Sequence, residues 1–163
     1  GGNMKIGIIS DTHDNIDRIK QAISIFNEEG VSLVIHAGDY ISPFSLIPFE
    51  DLKAEFIGIY GNNDGDKVLL NTCSMGRIHP QPHKFSYSGK KIVVMHEHFL
   101  VEDLAASGNF DLIVYGHTHK ERVEKKNGAL IINPGEAGHW LYGKATIGTV
   151  DLVTMEGEII VLD

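Results

Sequence analysis

Short apolar runs, rich in isoleucine and valine, alternate along the chain with polar segments. Five such runs lie at 6–9, 33–37, 56–60, 92–95 and 112–115. Runs of four or five residues with many β-branched side chains are typical of strands, since a buried helix needs about ten residues or more. The pattern therefore predicts a strand at each of these runs.

The segment after the first run has a helical period instead. Ile16, Ile19, Ile23 and Phe26 recur three or four residues apart, and Gly30 is a typical C-terminal stop. A helix through Glu29 between two strands forms a βαβ unit, which predicts parallel pairing and a right-handed crossover.

Beyond residue 84 the pattern favours hairpins. Ser88-Gly89-Lys90 separates two strand-like segments, and Asn127-Gly128 lies within the segment from Arg122 to Asn133. Such turn residues connect antiparallel strands. Two further strands are predicted at 146–150 and 159–162. Antiparallel hairpins added to a βαβ start indicate a fold with two sheets.

Polar motifs punctuate the chain, most of them directly after a predicted strand. They are Asp11-Thr12-His13, Gly38-Asp39, Gly61-Asn62-Asn63-Asp64, Met95-His96-Glu97-His98, Gly116-His117-Thr118-His119 and Asn133-Pro134-Gly135-Glu136. Ligands of open α/β sheets bind outside the carboxyl ends of the strands, so these motifs are expected to converge.

The side chains in these motifs predict a site for two divalent ions. They offer carboxylate, imidazole and amide groups without thiolates, the set suited to a dinuclear site rather than to a structural zinc. Two ions roughly 3.5–4 Å apart hold the attacking and leaving oxygens of a displacement at phosphorus. In one division of the ligands, which spacing leaves open, Asp39 bridges the ions; Asp11, His13 and His119 hold the first, and Asn62, His96 and His117 hold the second.

The motif series resembles the calcineurin-like metallophosphoesterase family, in particular its small branch of single-domain phosphodiesterases. The likeness runs from Met4 to about Leu162. It implies an α/β fold in the form of a four-layer αββα sandwich, two mixed β-sheets flanked by helices. It also implies the same seven metal ligands with Asp39 bridging, and hydrolysis of phosphodiester bonds by a metal-activated hydroxide.

The chain departs from the family pattern at Asn63. Many family members have a histidine there as the proton donor to the leaving group, followed by an acidic residue that orients it, here Asp64. An amide cannot donate a proton in this way, so activated diesters should be better substrates than monoesters. His98, two residues past His96, either substitutes as a catalytic residue or covers the edge of the site. Asn133 and Glu136 are expected to support the histidine ligands.

Two other functions stay open. The same branch includes the retromer scaffold subunit, so a metal-binding scaffold or interaction module with weak or vestigial hydrolase activity is the alternative to an enzyme. A metal sensor or store is a third. All seven ligand positions carry metal-binding residue types, which favours a metal-dependent phosphoric diester hydrolase. We expect manganese, with Ni, Fe, Co, Zn and Mg as alternatives.

Composition limits the organisation and the partners. With 163 residues, 42% of them hydrophobic, the chain is long enough for one domain, expected at 4–163. Residues 1–3 lack the apolar stretch of a signal peptide and are interpreted as a cloning remnant. The single cysteine, Cys73, excludes an internal disulfide, so a cytoplasmic location is the expectation.

The net charge disfavours two classes of partner. At −8, the chain is poorly suited to nonspecific binding of nucleic acid or of a membrane surface. Two bound divalent ions would bring −8 to −4 and concentrate positive charge where a phosphodiester substrate would dock. The sequence leaves homo-oligomerisation open.

Other conspicuous residues have simpler interpretations. His36 lies within an apolar strand and is expected in the core or as support for the ligands. His79 and His83 flank prolines and are expected in a surface loop with solvent-facing side chains. His139 and Trp140 either line a substrate pocket or pack locally.

Overall fold

A computed structural model describes residues 5–12, 15–38, 48–49, 51–60, 78–79, 82–116, 118, 121–135, 137 and 145–162. Its elements, in chain order, are β1 Lys5–Ile9, α1 Ile16–Glu29, β2 Leu33–His36, β3 Glu55–Ile59, β4 Ile78–His79, β5 His83–Tyr87, β6 Lys90–Val94, α2 Val101–Ser107, β7 Leu112–Val114, β8 Arg122–Lys126, β9 Ala129–Asn133, β10 Ala145–Asp151 and β11 Glu156–Leu162. Neither of these two helices is long and apolar enough to cross a membrane.

The strands form two mixed sheets, as predicted. One has the order β11-β10-β1-β2-β3-β4 and the other the order β5-β6-β7-β9-β8. Strands β1 to β4 are parallel, and β10 and β11 are antiparallel to their neighbours. In the second sheet β6, β7 and β9 are parallel, while β5 and β8 pair with them antiparallel. The carboxyl ends of β1, β2 and β3 therefore lie at one edge, and so do those of β6, β7 and β9.

Three apolar clusters define the layers. The first joins the facing sides of both sheets, for example Ile8 and Ile35 with Val94 and Ile132. The second packs α1 on the outer side of the six-stranded sheet, and the third packs α2 on the outer side of the five-stranded sheet. This is the predicted four-layer αββα sandwich, which is confirmed.

Helix α1 shows how the local sequence produces the element. The Asn15 side chain accepts a hydrogen bond from the Arg18 N–H at 3.4 Å, and Gly30 ends the helix at φ 67. Phe26 lies fully buried over Gly7, where a Cβ atom would meet its ring at 2.6 Å. The glycine in β1 thus allows the helix to pack closely on the sheet.

The two predicted hairpins are also confirmed. Ser88 and Gly89 connect β5 to β6 with φ angles of 50 and 79, and Asn127 and Gly128 connect β8 to β9 with φ angles of 52 and 82. Two consecutive residues with positive φ are what a tight two-residue turn between twisted strands requires.

The prediction for His79 and His83 is wrong. His79 ends β4, His83 begins β5, and both side chains are half-buried. Their rings stack with centroids 4.0 Å apart and planes 7° apart, and His83 lies 5.5 Å from Phe85. Because β4 and β5 are edge strands of different sheets, this stack joins the sheets at one side of the sandwich. A two-residue strand has no detectable period, which is why the flanking prolines dominated the prediction.

Candidate metal centre

The carboxyl ends of five strands are joined by backbone hydrogen bonds. The Asp11 N–H after β1 donates to the Gly38 carbonyl after β2 at 3.0 Å. After β7, the Gly116 N–H donates to the His96 carbonyl after β6 at 3.1 Å. The Ala137 N–H, beyond β9, donates to the Ser10 carbonyl at 3.1 Å. The predicted convergence of the motifs is confirmed for these described residues.

Asp11 holds its carboxylate in the interior. It is fully buried and has φ 55, a conformation that aspartate adopts more readily than most residues. The Ser10 hydroxyl donates to Oδ2 at 2.8 Å. A buried carboxylate on a left-handed backbone is costly, and such features are concentrated at functional sites.

Gly116 makes room for this carboxylate. A Cβ atom at Gly116 would lie 2.1 Å from the Ser10 Oγ and 3.0 Å from the Asp11 Oδ2. The end of β7 therefore packs directly against Asp11, and any side chain at position 116 would displace it. The same loop contacts His96 through its backbone, so Asp11 and His96 border one small region.

His96 is held in one orientation by its Nδ1 nitrogen. It is fully buried, and its Nδ1 lies 2.7 Å from the carbonyl oxygen of Ala37. Since a carbonyl only accepts hydrogen bonds, Nδ1 carries a proton and donates it to Ala37. Metal-binding histidines are commonly held in this way, by a backbone carbonyl on the nitrogen away from the metal.

His36 supports the site and is not arranged as a ligand. Its Nδ1 accepts the Gly38 N–H at 3.0 Å, which leaves the proton on Nε2 to be donated to Thr12 Oγ1 at 3.2 Å. Both nitrogens are used to hold residues next to predicted ligands: Thr12 follows Asp11, and Gly38 precedes Asp39. The expectation of a supporting core histidine is confirmed.

Asn133 holds the backbone on both sides of position 117. Its side-chain N–H groups donate to the Gly116 carbonyl at 3.2 Å and to Thr118 Oγ1 at 3.0 Å. Its Oδ1 accepts the Gly135 N–H at 2.9 Å. The amide thus positions the loop that carries His117 in the sequence. The sequence predicted that Asn133 supports the histidine ligands. In the structure, its side chain holds the Gly116 backbone and the Thr118 side chain.

Only part of the predicted site belongs to the described residues. Of the proposed ligands, Asp11 and His96 are described, and they follow β1 and β6 at the carboxyl ends of these strands. Apart from His98 and Asn133, the other residues predicted for the site lie outside the described ranges: His13, Asp39, Asn62, Asn63, Asp64, His117, His119, Glu136, His139 and Trp140. Among the described residues alone, no group of three His, Cys, Asp or Glu side chains is placed to hold a metal ion.

His98 lies on the exposed turn between β6 and α2. Its ring centroid is 4.6 Å from that of Phe99, and its carbonyl oxygen accepts the Val101 N–H at 3.2 Å. The side chain is therefore at the rim of the strand-end region. Both interpretations of His98, as a catalytic residue and as a cover for the site edge, stay predictions.

The sequence interpretation missed three contributors: the Ser10 hydroxyl, the Ala37 carbonyl and the space at Gly116. A glycine directly after a strand is a visible signal, but it indicates only a turn or a close approach. Ala37 gave no signal because its partner His96 is 59 positions away, and Ser10, although adjacent to Asp11, gave none because a serine at a strand end does not show where its hydroxyl points.

The described donors fit a divalent metal. A buried carboxylate oxygen and an imidazole nitrogen, each held by a neighbouring hydrogen bond, are ligands that manganese, iron, nickel, cobalt and zinc all accept. Burial of a carboxylate is costly, and coordination of a cation would offset part of that cost. The chemistry of these two residues therefore agrees with the site for two metal ions that the sequence predicts.

Solved structures share this architecture of two mixed sheets with the strand ends at one edge. A novel archaeal phosphodiesterase superposes with a TM-score of 0.91 at 41% identity, over 98% of this chain and 100% of that chain. The Zn²⁺ complex of wild-type Vps29 from Entamoeba histolytica superposes with a TM-score of 0.66 at 17% identity, over 98% and 99% of the two chains. At this low identity, the superposition with Vps29 shows only that the two proteins share a fold.

Sequence comparison specifies the family. The calcineurin-like phosphoesterase superfamily domain matches residues 4–155, and the chain belongs to this family. It is 41% identical to phosphodiesterase MJ0936 of Methanocaldococcus jannaschii, over 98% of this chain and 100% of the relative. The family resemblance inferred from the motif series is thus confirmed.

Proposed function

We propose that this protein is a dinuclear metal-dependent phosphodiesterase. The observation that carries the proposal is the pair of fully buried, oriented donors Asp11 and His96 at adjoining strand ends. Membership in the phosphoesterase family and full-length similarity to a named phosphodiesterase support the same conclusion.

The seven predicted ligands would hold the ions. We propose Asp11, His13 and His119 for one ion, Asn62, His96 and His117 for the other, and Asp39 between them. When bound, two divalent ions supply positive charge to the phosphoryl oxygens and lower the pKa of a bound water. Manganese is the metal we expect, with Ni, Fe, Co, Zn and Mg as alternatives, and the cytoplasm is the expected compartment.

The chain's own residues prepare this chemistry. The Ala37 carbonyl holds a proton of His96 on Nδ1, so coordination of a metal by this ring would use Nε2. Asn133 and His36 hold the loops that carry other proposed ligands. Asn63 has no titratable proton at neutral pH, so a leaving group must depart with little protonation. Diesters with acidic leaving groups are therefore the proposed substrates.

A metal-reconstitution assay tests this function. Protein freed of metal with a chelator should gain hydrolysis of bis(p-nitrophenyl) phosphate when manganese is added, and p-nitrophenyl phosphate should be turned over more slowly. Absence of diester turnover with each of the six metals would contradict the proposed enzyme. Faster monoester turnover would contradict the proposed selectivity.

Position 63 allows a sharper test. Asn63→His should raise turnover of diesters with poor, alkyl leaving groups, because general-acid catalysis typically contributes about 10²- to 10⁴-fold. Nitrophenolate leaving groups should gain little. Asn63→Gln keeps an amide and is the matched control. An equal change for all leaving groups would show that position 63 is not the donor site.

Asn63 also favours a second candidate, a metal-binding scaffold with vestigial activity, since the donor histidine of many family members is absent. In that case the protein would bind two equivalents of metal by calorimetry but would not turn over activated diesters. The same metal-reconstitution assay separates the two functions.

A further inference from the structure

The described residues form two sheets with four edge strands, and three of these edges have features that discourage pairing with another chain. Strand β4 has two residues, and β5 has the exposed Lys84 at its second position. In β8, four of the five residues are charged. Short edge strands and charged side chains, lysine above all, are the usual protection of a sheet edge.

Strand β11, the fourth edge, lacks this protection in its second half. It has seven residues without lysine, arginine or proline, and it ends in the apolar run Ile159-Ile160-Val161-Leu162. Val161 is 49% exposed, and Val123 in the nearby strand β8 is 41% exposed. A long apolar edge strand is a template for pairing, because its outward backbone N–H and C=O groups can bind a further strand.

One face of β11 lies toward the five-stranded sheet. Ile159 packs against the cluster between the sheets, and a Cβ atom at Gly157 would lie 3.1 Å from Val123 Cγ1. Because successive side chains of a strand alternate, Val161 lies on this face as well. The face therefore has an exposed valine near one end and, near the other, a glycine beside the exposed Val123.

The other face of β11 lies toward α1. Ile160 and Leu162 belong to the cluster beneath this helix, and the alternation places Glu156 on the same face. Arg18 of α1 donates a hydrogen bond from Nη1 to the Leu162 carbonyl oxygen at 3.4 Å. This face therefore has a carboxylate at the first residue of the strand and a guanidinium beside the last.

A second copy of β11 in antiparallel orientation would complement both faces. A two-fold axis through the central residue, Ile159, pairs the whole strand with its copy. Glu156 then lies opposite Leu162 of the other copy, and Gly157 lies opposite Val161. Opposed residues share a face because they are an even number of positions apart, and their Cβ atoms approach to about 4.5–5.5 Å.

This register accounts for the features of both faces. Val161 of one copy would fill the space beside the glycine of the other copy and contact its Val123. Glu156 would lie beside Arg18 of the other copy, and the symmetry repeats this pair of opposite charges. A parallel partner would instead set Glu156 beside its own copy, and like charges that lie directly opposite each other are destabilising.

We propose that β11 is a homodimer interface at which two copies of this chain join their six-stranded sheets edge to edge. Main-chain hydrogen bonds between the two strands supply affinity, as in other cases of strand addition, and the side-chain contacts fix the register. The interface runs along the side of the sheet, whereas the proposed metal ligands follow the strand ends. The dimer is therefore a property separate from the proposed phosphodiesterase function.

Cysteine cross-linking tests the register. In a Cys73→Ser background, Ile159→Cys should form a disulfide between two chains on mild oxidation. Opposed residues of antiparallel strands have Cα atoms about 4.5–5.5 Å apart, which is within the range of a disulfide. Val161→Cys is the matched control on the same face, since its own copy would be about 14 Å away along the strand. Failure of Ile159→Cys to cross-link more than Val161→Cys would overturn the proposal.

Sedimentation velocity tests the association itself. Wild-type protein should be a dimer at micromolar concentration with or without metal. Val161→Lys should be a monomer, because a lysine on an edge strand opposes pairing. Val153→Lys adds the same charge at a residue that is 72% exposed in the turn beyond β11, and it should remain a dimer. A monomeric wild type, or a dimer that persists in Val161→Lys, would overturn the proposal, even if β11 then paired with another protein.

A charge exchange distinguishes loss of the interface from a folding defect. Arg18→Glu and Glu156→Arg should each raise the dissociation constant of the dimer roughly 2- to 30-fold, the effect of losing two exposed ion pairs together. The double variant should return toward the wild-type value, and absence of this rescue would contradict the register. Diester turnover per chain should be unchanged in all of these variants. An active monomer would therefore overturn only the interface, and an inactive dimer only the phosphodiesterase function.

Discussion

Two pairs of histidines among the described residues are held in different ways. At the strand ends, His36 and His96 are fully buried and each ring is oriented by backbone hydrogen bonds. At the side of the sandwich, His79 and His83 are half-buried and are held by ring stacking, with centroids 4.0 Å apart.

The way in which each ring is held indicates its role: hydrogen-bonded rings serve the candidate site, and stacked rings serve packing. A backbone hydrogen bond fixes which ring nitrogen carries the proton, as a metal ligand requires. Stacking fixes only the ring plane and leaves the protonation state to the surroundings. Residue type alone does not distinguish the two pairs, whereas burial and the hydrogen-bond partners of the ring nitrogens do.

The largest expected effect is at Asp11. Asp11→Asn keeps a residue that tolerates φ 55 and removes the charge, so the fold should persist while metal binding is lost. Activity should fall by more than the roughly 10- to 100-fold typical of a lost supporting residue. Elemental analysis and diester turnover measure this. Asp103→Asn, an exposed carboxylate on α2, is the control and should behave as wild type. Normal metal content in Asp11→Asn would refute the ligand assignment.

Gly116→Ala tests whether space at the strand end is as important as charge. The added methyl group would meet the Ser10 Oγ at 2.1 Å and push the Asp11 carboxylate from its place. Overpacking of this kind typically costs about 1–3 kcal/mol of unfolding free energy, and metal affinity should fall with it.

Gly157→Ala separates these two effects. Its added methyl group would meet Val123 Cγ1 at 3.1 Å in β8, on another part of the sheets. Urea unfolding should show some loss of stability, whereas calorimetric metal affinity should stay normal. Equal affinity loss in both variants would mean that position 116 acts only through global stability.

Asn133→Asp should produce a smaller change. The substitution keeps an acceptor for the Gly135 N–H but removes the donors to Gly116 and Thr118. Loss of such support typically costs about 10- to 100-fold in metal affinity or activity. Asn109→Asp adds the same charge at an exposed position and should leave both unchanged. Wild-type affinity in Asn133→Asp would show that the loop is positioned without this amide.

The smallest effect concerns the stacked pair. Burial, and to a lesser degree His79, lowers the pKa of His83 from its ordinary value of 6.5. Between pH 6.5 and the lower pKa of His83 in the folded protein, the unfolded chain binds a proton at His83 and the folded protein does not. Lowering the pH through this window therefore reduces the free energy of unfolding. His83→Phe keeps a ring for stacking and should weaken this acid dependence of urea unfolding. Ser86→Ala, exposed on the same strand, should retain it, and an unchanged slope in His83→Phe would exclude His83 as its source.

Much of the fold could be predicted because its causes are local. The isoleucine-rich runs, the period of α1 and the Asn127-Gly128 turn each encode their own conformation, and all of them agree with the structure. Helix α2 and strand β4 were missed because seven and two residues are too short to show a period. His83, the first residue of the five-residue strand β5, was assigned to a loop because it follows Pro82.

For the site, the sequence by itself determined the residue types and their order at the strand ends, because parallel strands bring their carboxyl ends to one edge whatever the loops do. Only the tertiary structure decided how those residues are held. The proton on His96 depends on the Ala37 carbonyl, and the place of Asp11 depends on the missing side chain at Gly116. These contacts join residues 59 positions or more apart in the chain, and a linear pattern contains no record of such distances.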